Sequence, residues 1–279
     1  MNLFTKAGHQ CEVLKSDGDQ SFTDMAAHAA RGNIDIIVAG GGDGTINAVA
    51  SAIVNHPTIR FGVLPLGTLN HFARDLGIPF ELEAAIEVIC AGHSEKVDVG
   101  MVNEQYFLNN SSVGLYPAIV KLRENLQGSG YSKWWAAFLA SLRILRTFRR
   151  FRLEFEASNG LSIKRKTAMM FVGNNAYETN VSTLGQRTAI NRGQLWINVP
   201  SSSSRWEMVM SMLTLVARRQ KPQDMIIFET KSMTVNSSKN LLAVAADGEV
   251  VKLKLPLHYS ILPKALDVLV PLQKPEVNK

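Results

Sequence analysis

Residues 34–53, IDIIVAGGGDGTINAVASAI, restrict the fold more than any other stretch of the chain. The short apolar run Ile34–Ala39 is bounded by glycine and predicts a strand buried on both faces. Gly40–Thr45 interrupt it, and Ile46–Val54 predict a helix. A strand that passes into a helix through glycines lets backbone N–H groups approach an anion closely, and the helix N-terminus adds a favourable field. Asp43 suits a ribose hydroxyl, a metal or a metal-bound water. Thr45 suits a phosphate donor, or a helix cap if the turn is only a tight strand–helix connection. The pattern is neither GxGxxG nor GxxxxGK[ST], which argues against an ordinary dinucleotide site and a Walker P-loop.

Residues 61–79, FGVLPLGTLNHFARDLGIP, repeat the logic: a buried strand at Phe61–Leu64, a Pro-x-Gly-Thr turn, then a helix at Asn70–Leu76. Two such turns at one edge of a parallel sheet converge on one ligand. Around them, Glu12–Lys15 predicts a short strand and Phe80–Ala91 a helix. Ser21, with Asp24 three residues on, predicts a helix start. Strands alternating with helices predict a parallel sheet.

Near Val97 the texture changes. Val97–Val102, Gln105–Val113, Phe151–Ala157, Ser162–Val172, Gln194–Val199, Met225–Val235, Leu241–Ala246, Val250–Leu255 and Ala265–Val270 predict strands. Their short connections predict antiparallel pairing. Helices are expected at Leu115–Leu126, Lys133–Phe148 and Ser204–Arg218. The expected organisation is therefore an α/β N-terminal domain over 1–97 and a β-rich, sandwich-like domain over 98–279, with a cleft between them. Asp247-Gly248 between two alternating segments is a strong hairpin signal. Asn174, Asn175 and Tyr177, after a strand, are candidates to line a substrate cleft.

Charge divides along the same boundary. Residues 1–98 carry 6 Lys/Arg and 12 Asp/Glu, whereas the rest carries 24 and 12, giving the net +6 of the chain. Lys133–Lys166 alone holds nine Lys/Arg against two Asp/Glu. Within it Trp134, Trp135, Phe138, Leu142 and Leu145 share helical spacing, and Arg143, Arg146 and Arg150 form another stripe. A helix near 133–149 of this kind fits a membrane interface with anionic headgroups, or a core-packed helix with solvated arginines. The basic region lacks a nucleic-acid motif, so no nucleic-acid partner is expected. No run reaches the ~18–20 apolar residues of a membrane span. MNLFTKAGHQ lacks a signal h-region, and Cys11 and Cys90 form no disulfide framework, so a cytoplasmic location is expected.

Gly41-Gly-Asp-Gly-Thr45 with Asn47, and Pro65-x-Gly-Thr68-x-Asn70-x-Phe-Ala-Arg74, resemble the two nucleotide loops of the diacylglycerol kinase catalytic domain family. That family includes bacterial lipid kinases and sphingosine kinases, and shares its first motif with NAD kinases. Leu76-Gly77-Ile78-Pro79, Val97-Asp98-Val99-Gly100, Phe107-x-Asn109 with Gly114, and Asp247-Gly248-Glu249 extend the resemblance over nearly the whole chain. It implies a kinase that uses ATP and Mg²⁺ to phosphorylate a lipid hydroxyl, diacylglycerol first and sphingoid bases second, at a peripheral membrane surface. It implies ATP contacts from Ser16, Gly41, Gly42, Asp43, Gly44, Thr45, Ile46, Asn47, Gly67, Thr68 and Asn70. It implies catalytic roles for Asp247, Glu249 and Asp43, with Asp247 or Glu249 as base. The oligomeric state, monomer or homodimer, stays open.

The chain departs from the family in three places. No Asn-Pro-x-Ser-Gly turn precedes Cys11: either Met1 is a misassigned start or a first strand–helix unit of ~20 residues is missing, and a truncated sheet would expose an edge or a face of Ile34–Ala39. His71 and Tyr116 stand where acids are common. Arg192, in Asn191-Arg-Gly-Gln-Leu195, replaces an expected metal carboxylate, and a cation is a poor substitute for an oxygen ligand. The metal ligands are therefore unassigned. The first and third departures favour, as the alternative, a nucleotide- or lipid-binding protein without turnover.

Overall fold

The structure is a computed structural model that describes residues 2–16, 20–114, 117, 151–177, 187, 189–200 and 225–272. The helices expected at Leu115–Leu126, Lys133–Phe148 and Ser204–Arg218 lie outside the described residues, apart from Pro117.

The N-terminal part is α/β. Helix α1 spans Asn2–Lys6, α2 Phe22–Ala29, strand β1 Ile36–Gly41, α3 Asp43–Ile53, β2 Arg60–Pro65, α4 His71–Asp75 and α5 Leu82–Ala91. Ser21 caps α2 as expected, its Oγ accepting from Asp24 N–H at 3.1 Å. Glu12–Lys15 form no strand; they run as irregular, exposed chain towards α2. Strand β1 pairs with β2 in parallel register, Ile36 opposite Arg60 through Gly41 opposite Pro65.

Strand β1 is not buried on both faces. It is the terminal strand of its sheet, Ile37 and Ala39 face the core, and Val38 is 36% exposed. The apolar run hides this because Val38 and Ile37 are indistinguishable in a hydropathy pattern. Helix α3 begins at Asp43, with Gly42 as an N-cap that supplies no side-chain bond. Thr45 therefore lies inside the first turn and is not the cap.

The remaining strands are β3 Ser94–Val102, β4 Gln105–Phe107, β5 Asn110–Gly114, β6 Phe151–Ala157, β7 Ser162–Thr167, β8 Met169–Asn174, β9 Leu195–Pro200, β10 Met225–Thr230, β11 Ser232–Ser237, β12 Leu241–Ala246, β13 Glu249–Lys254 and β14 Leu257–Leu269. One sheet runs β1-β2-β14-β11-β6-β7, with β3 on β14 and β4 on β3. The other runs β10-β9-β8-β5-β12-β13. Strand β14 is the spine of the first sheet. It pairs antiparallel with β11 and β3, and parallel with β2 at Asp267 and Val268. The last strand among the described residues thus returns to the α/β end of the chain.

Three segments expected as single strands are each two strands in different sheets: β4/β5, β7/β8 and β10/β11. At two of these corners a threonine closes the bend. Thr167 Oγ1 donates to Met169 O at 2.8 Å, and Thr230 Oγ1 donates to Ser232 O at 2.9 Å. Both threonines are buried, at 1% and 3% exposure. Alternation survives such a corner, because each half keeps a period of two; the sheet it joins changes without a mark in the pattern.

Two hydrophobic clusters result. One holds Ile46, Ile53, Phe61, Phe72 and Leu76 with Val97, Leu108 and Val268. The other fills the sandwich with Phe107, Leu153, Phe155, Met170 and Tyr259. The division into domains at 97 and 98 is a proposal; β3 runs through that boundary, and the first cluster takes Leu108 and Val268 from beyond it.

Replacing Thr230 or Thr167 by valine keeps the shape but removes the side-chain hydrogen bond that closes each corner. Each change is expected to lower stability by about 0.5–1.5 kcal/mol, measured as a shift in the chemical denaturation midpoint.

Candidate functional site

The two glycine turns meet, as their positions at adjacent parallel strands require. Leu66 N–H donates to Gly41 O at 3.0 Å. A Cβ on Gly67 would collide with the Gly42 Cα, so at Gly67 only glycine fits. A Cβ on Gly41 would lie 2.7 Å from Thr45 Cβ, which excludes a side chain there too. The first N–H groups of α3, beyond an N-cap without a side-chain bond, have no intrahelical acceptor. This is a cradle of backbone donors with no Cβ in the way, the chemistry a phosphate chain needs.

The second turn is built by Asn70. It sits at φ 47, in the left-handed region that asparagine tolerates. Its Oδ1 accepts from Gly67 N–H at 3.0 Å, and its Nδ2 donates to Pro65 O at 3.1 Å and Gly67 O at 2.9 Å. Asn70 therefore shapes the loop, and its amide donors are used there. Ile46 is a core residue at 0% exposure whose N–H donates to Gly42 O, so it offers no donor to a nucleotide. Thr68 is exposed at the turn. Ser16 lies before α2, its Oγ donating to Gln20 O at 3.0 Å. It follows no strand, contrary to its expected placement.

Asp43 Oδ1 accepts from Phe72 N–H at 3.3 Å, tying the first turn to α4. Asn47 is 7% exposed and lines a cavity of about 260 Å³ with Ser51, Tyr106 and Glu249. Glu249 is exposed, and a Cβ on Gly44 would lie 3.7 Å from its Oε1. The carboxylate brought against Gly44 of the first glycine turn thus comes from a residue 205 positions away.

Asp247 and Gly248 form the expected two-residue hairpin, with φ 47 and 92 and Ala246 paired to Glu249. The Asp247 carboxylate faces inward. Its Oδ2 accepts from Leu108 N–H at 2.6 Å, and its Oδ1 from Asn109 and Asn110 N–H, both at 2.9 Å. Burial pushes this carboxyl up to about 6, against those three donors and the nearby Arg187 guanidinium. Asp247 and Glu249 therefore have different surroundings: one holds the 108–110 segment, the other faces the turn.

A buried polar web connects these parts, and spacing gave no sign of it. Arg187 Nε and Asp75 Oδ2 are 2.6 Å apart, joining residues 112 positions apart. Asn174 Nδ2 donates to Asp98 O and Leu108 O, both at 2.8 Å. Asp98 accepts from Asn175 Nδ2 at 3.0 Å, Gly193 N–H at 2.6 Å and Lys264 N–H at 2.8 Å. Tyr177 OH donates to Asn109 O at 2.9 Å. Asn174 and Asn175, each at 0% exposure, belong to this frame rather than to a cleft wall. His71 opens α4 and is half-buried. Arg192 uses its backbone N–H on Asn175 Oδ1 at 3.0 Å. Among the described residues, no three His, Cys, Asp or Glu side chains gather to hold a metal, and no helix is long and apolar enough to cross a membrane.

Gly67→Ala is expected to force the two turns apart and to lower the melting temperature. Gly42→Ala, whose Cβ would meet only Gly67 Cα at an ordinary 3.5 Å, leaves the melting temperature nearly unchanged. Asp247→Asn replaces an acceptor by a donor against backbone N–H groups and should cost about 1–3 kcal/mol, read by denaturant titration.

Residues 1–102 match the family model of the diacylglycerol kinase catalytic domain. Diacylglycerol kinases of Staphylococcus aureus strains are 28% identical over 273 residues, which is 95% of this chain and 84% of theirs. A solved structure of a diacylglycerol kinase from Bacillus anthracis superposes with a TM-score of 0.70 at 18% identity, covering 98% of this chain and 89% of that one. An NAD kinase from Archaeoglobus fulgidus in complex with ATP gives 0.52 at 11% identity, covering 96% and 85%. These two structures show the shared fold. Residues 1–102 are thus similar to that catalytic domain, and nearly the whole chain is similar to diacylglycerol kinases.

Proposed function

We propose that this lipid kinase moves the γ-phosphoryl group of ATP to the hydroxyl of diacylglycerol, giving phosphatidic acid. The observation that carries the reading is the apposition of two glycine turns, with no room for a Cβ at Gly67, beneath the Glu249 carboxylate. Phosphoryl transfer asks a protein mainly for positioning and charge neutralisation, plus a group to take the hydroxyl proton. The turn Gly41–Gly44 and Thr68 supply backbone donors for the phosphates, while the Gly67 N–H is held by Asn70 Oδ1. Glu249, exposed and facing the first turn, takes the proton from the lipid hydroxyl. Asp247 holds the Leu108–Asn110 segment and so fixes the hairpin that presents Glu249.

Magnesium fits this donor set. A magnesium ion that keeps several waters and rides on substrate phosphates needs one or two carboxylates, not a closed protein cage. Asp43, in the first turn, would hold it. When bound, the ion neutralises charge on the phosphates.

The acidic N-terminal part fits the same reading, because phosphate affinity there comes from amides and magnesium rather than from net charge. The basic C-terminal part favours an anionic lipid surface at the inner face of the membrane. The Trp134–Arg150 segment, outside the described residues, is the proposed contact.

Incubation with γ-labelled ATP and vesicles containing diacylglycerol or a sphingoid base tests the reading. Labelled phosphatidic acid is the expected product. Labelled sphingoid phosphate moves the acceptor, and ATP binding without transfer favours the protein without turnover. Glu249→Gln should lower turnover by about 10²–10⁴-fold, the usual worth of a general base, with the melting temperature unchanged. Full turnover in Glu249→Gln would remove it as the base. Activity should fall as pH drops through about 6, where Asp247 takes up a proton and releases its N–H donors; a pH–rate profile measures this.

A further inference from the structure

We propose that Arg187 is a positioning residue for phosphoryl transfer, a buried clamp that sets the second glycine turn and the Asp247–Glu249 hairpin at one fixed spacing. The inference rests on the kinase reading above for its kinetic consequence, and on geometry alone for the clamp.

The guanidinium is 1% exposed and reaches four partners on three separate parts of the chain. Its Nε meets Asp75 Oδ2 at 2.6 Å, at the end of α4. Its Nη1 donates to Leu108 O at 2.7 Å and to Asn174 O at 3.4 Å, and its Nη2 donates to Asn109 Oδ1 at 3.4 Å. The plane lies over the Phe72 ring, Cζ 5.9 Å from its centroid. A bridge between Tyr177 and Arg187 holds its backbone.

On one side these contacts end at the phosphate turns. Helix α4, gripped at Asp75 and Phe72, directly follows the second turn, and Phe72 N–H donates to Asp43 in the first. On the other side they end at the hairpin. Leu108 gives its carbonyl to Arg187 and its N–H to Asp247, so one residue is held on both polar groups. Arg187 is therefore one residue removed from Asp43 through Phe72, and one removed from Asp247 through Leu108.

A buried ion pair is a weak source of stability, because desolvation offsets the attraction. What a planar guanidinium supplies is several donors in fixed directions, which a lysine ammonium lacks. A clamp of this kind acts on the transition state through distance. A misplacement of ~1 Å costs about 10²-fold in rate.

The test uses the full chain with Arg187→Met, Arg187→Lys and Asp75→Asn. Arg187→Met should lower kcat by about 10²-fold while the KM for ATP stays within about threefold, since the phosphate cradle is intact. Arg187→Lys, which keeps the pairing with Asp75 but loses the carbonyl fork, should recover part of the loss. Amide hydrogen exchange, which needs no substrate, should show Phe72 and Leu108–Asn110 losing protection together in Arg187→Met while β9 keeps its protection. Equal loss of kcat and of folded protein, or exchange that rises on only one side, would overturn the clamp. If the wild type phosphorylates no lipid, the kinase reading fails, and the exchange result alone still decides whether Arg187 couples the two segments.

Discussion

The Asp247 carboxylate and the three consecutive N–H groups of Leu108, Asn109 and Asn110 form the joint on which the rest of the arrangement hangs. Those N–H groups lie where β4 leaves the first sheet and β5 enters the second, so no ladder partner is available to two of them. An unpaired buried N–H is costly, and a carboxylate that accepts three of them converts an awkward corner into an anchor. The same carboxylate sits at the first position of the β12–β13 turn, with φ 47. Anchoring the corner therefore also fixes the hairpin, and with it the direction in which Glu249 faces.

The second constraint is steric. Gly42 and Gly67 approach so closely that the two turns act as one surface. Backbone contact of this kind leaves no freedom for one turn to move without the other. The first turn is tied to α4 through Asp43, and α4 is tied to the sandwich through Asp75 and Arg187. The nucleotide-loop end of the chain and the hairpin are thus coupled through a short chain of hydrogen bonds rather than through bulk packing alone. The return of β14 to pair with β2 adds a direct sheet contact between the first strands and the C-terminal strands of the same sheet.

Much of this was legible in the sequence, though unevenly. The glycine turns, the hairpin and the antiparallel C-terminal strands carry local signals: a positive-φ residue pair, a Pro-x-Gly-Thr turn, alternation with a period of two. The exposed side of β1 was not legible from its apolar run. Nor were the corners at Thr167 and Thr230, because a strand that changes sheets keeps its alternation. Ile46 and Asn70 lie inside motifs expected to contact a nucleotide, yet one fills the core and the other builds the loop. A motif records which residues occur together, and both kinds of role recur together.

The sequence by itself determined the element types, the two glycine turns, the Asp-Gly hairpin and the likeness of the first 102 residues to the diacylglycerol kinase catalytic domain. These follow from dihedral preferences and hydrophobic periods that act within a few residues. Only the tertiary structure decided how the carboxylates divide, with Asp247 turned inward onto backbone donors and Glu249 turned outward towards Gly44. Only it paired Asp75 with Arg187 across 112 positions. The physical reason is the range of the forces involved. Hydrogen bonds and buried charges act over a few ångströms in space, and spacing along the chain does not record which distant residues the fold brings that close.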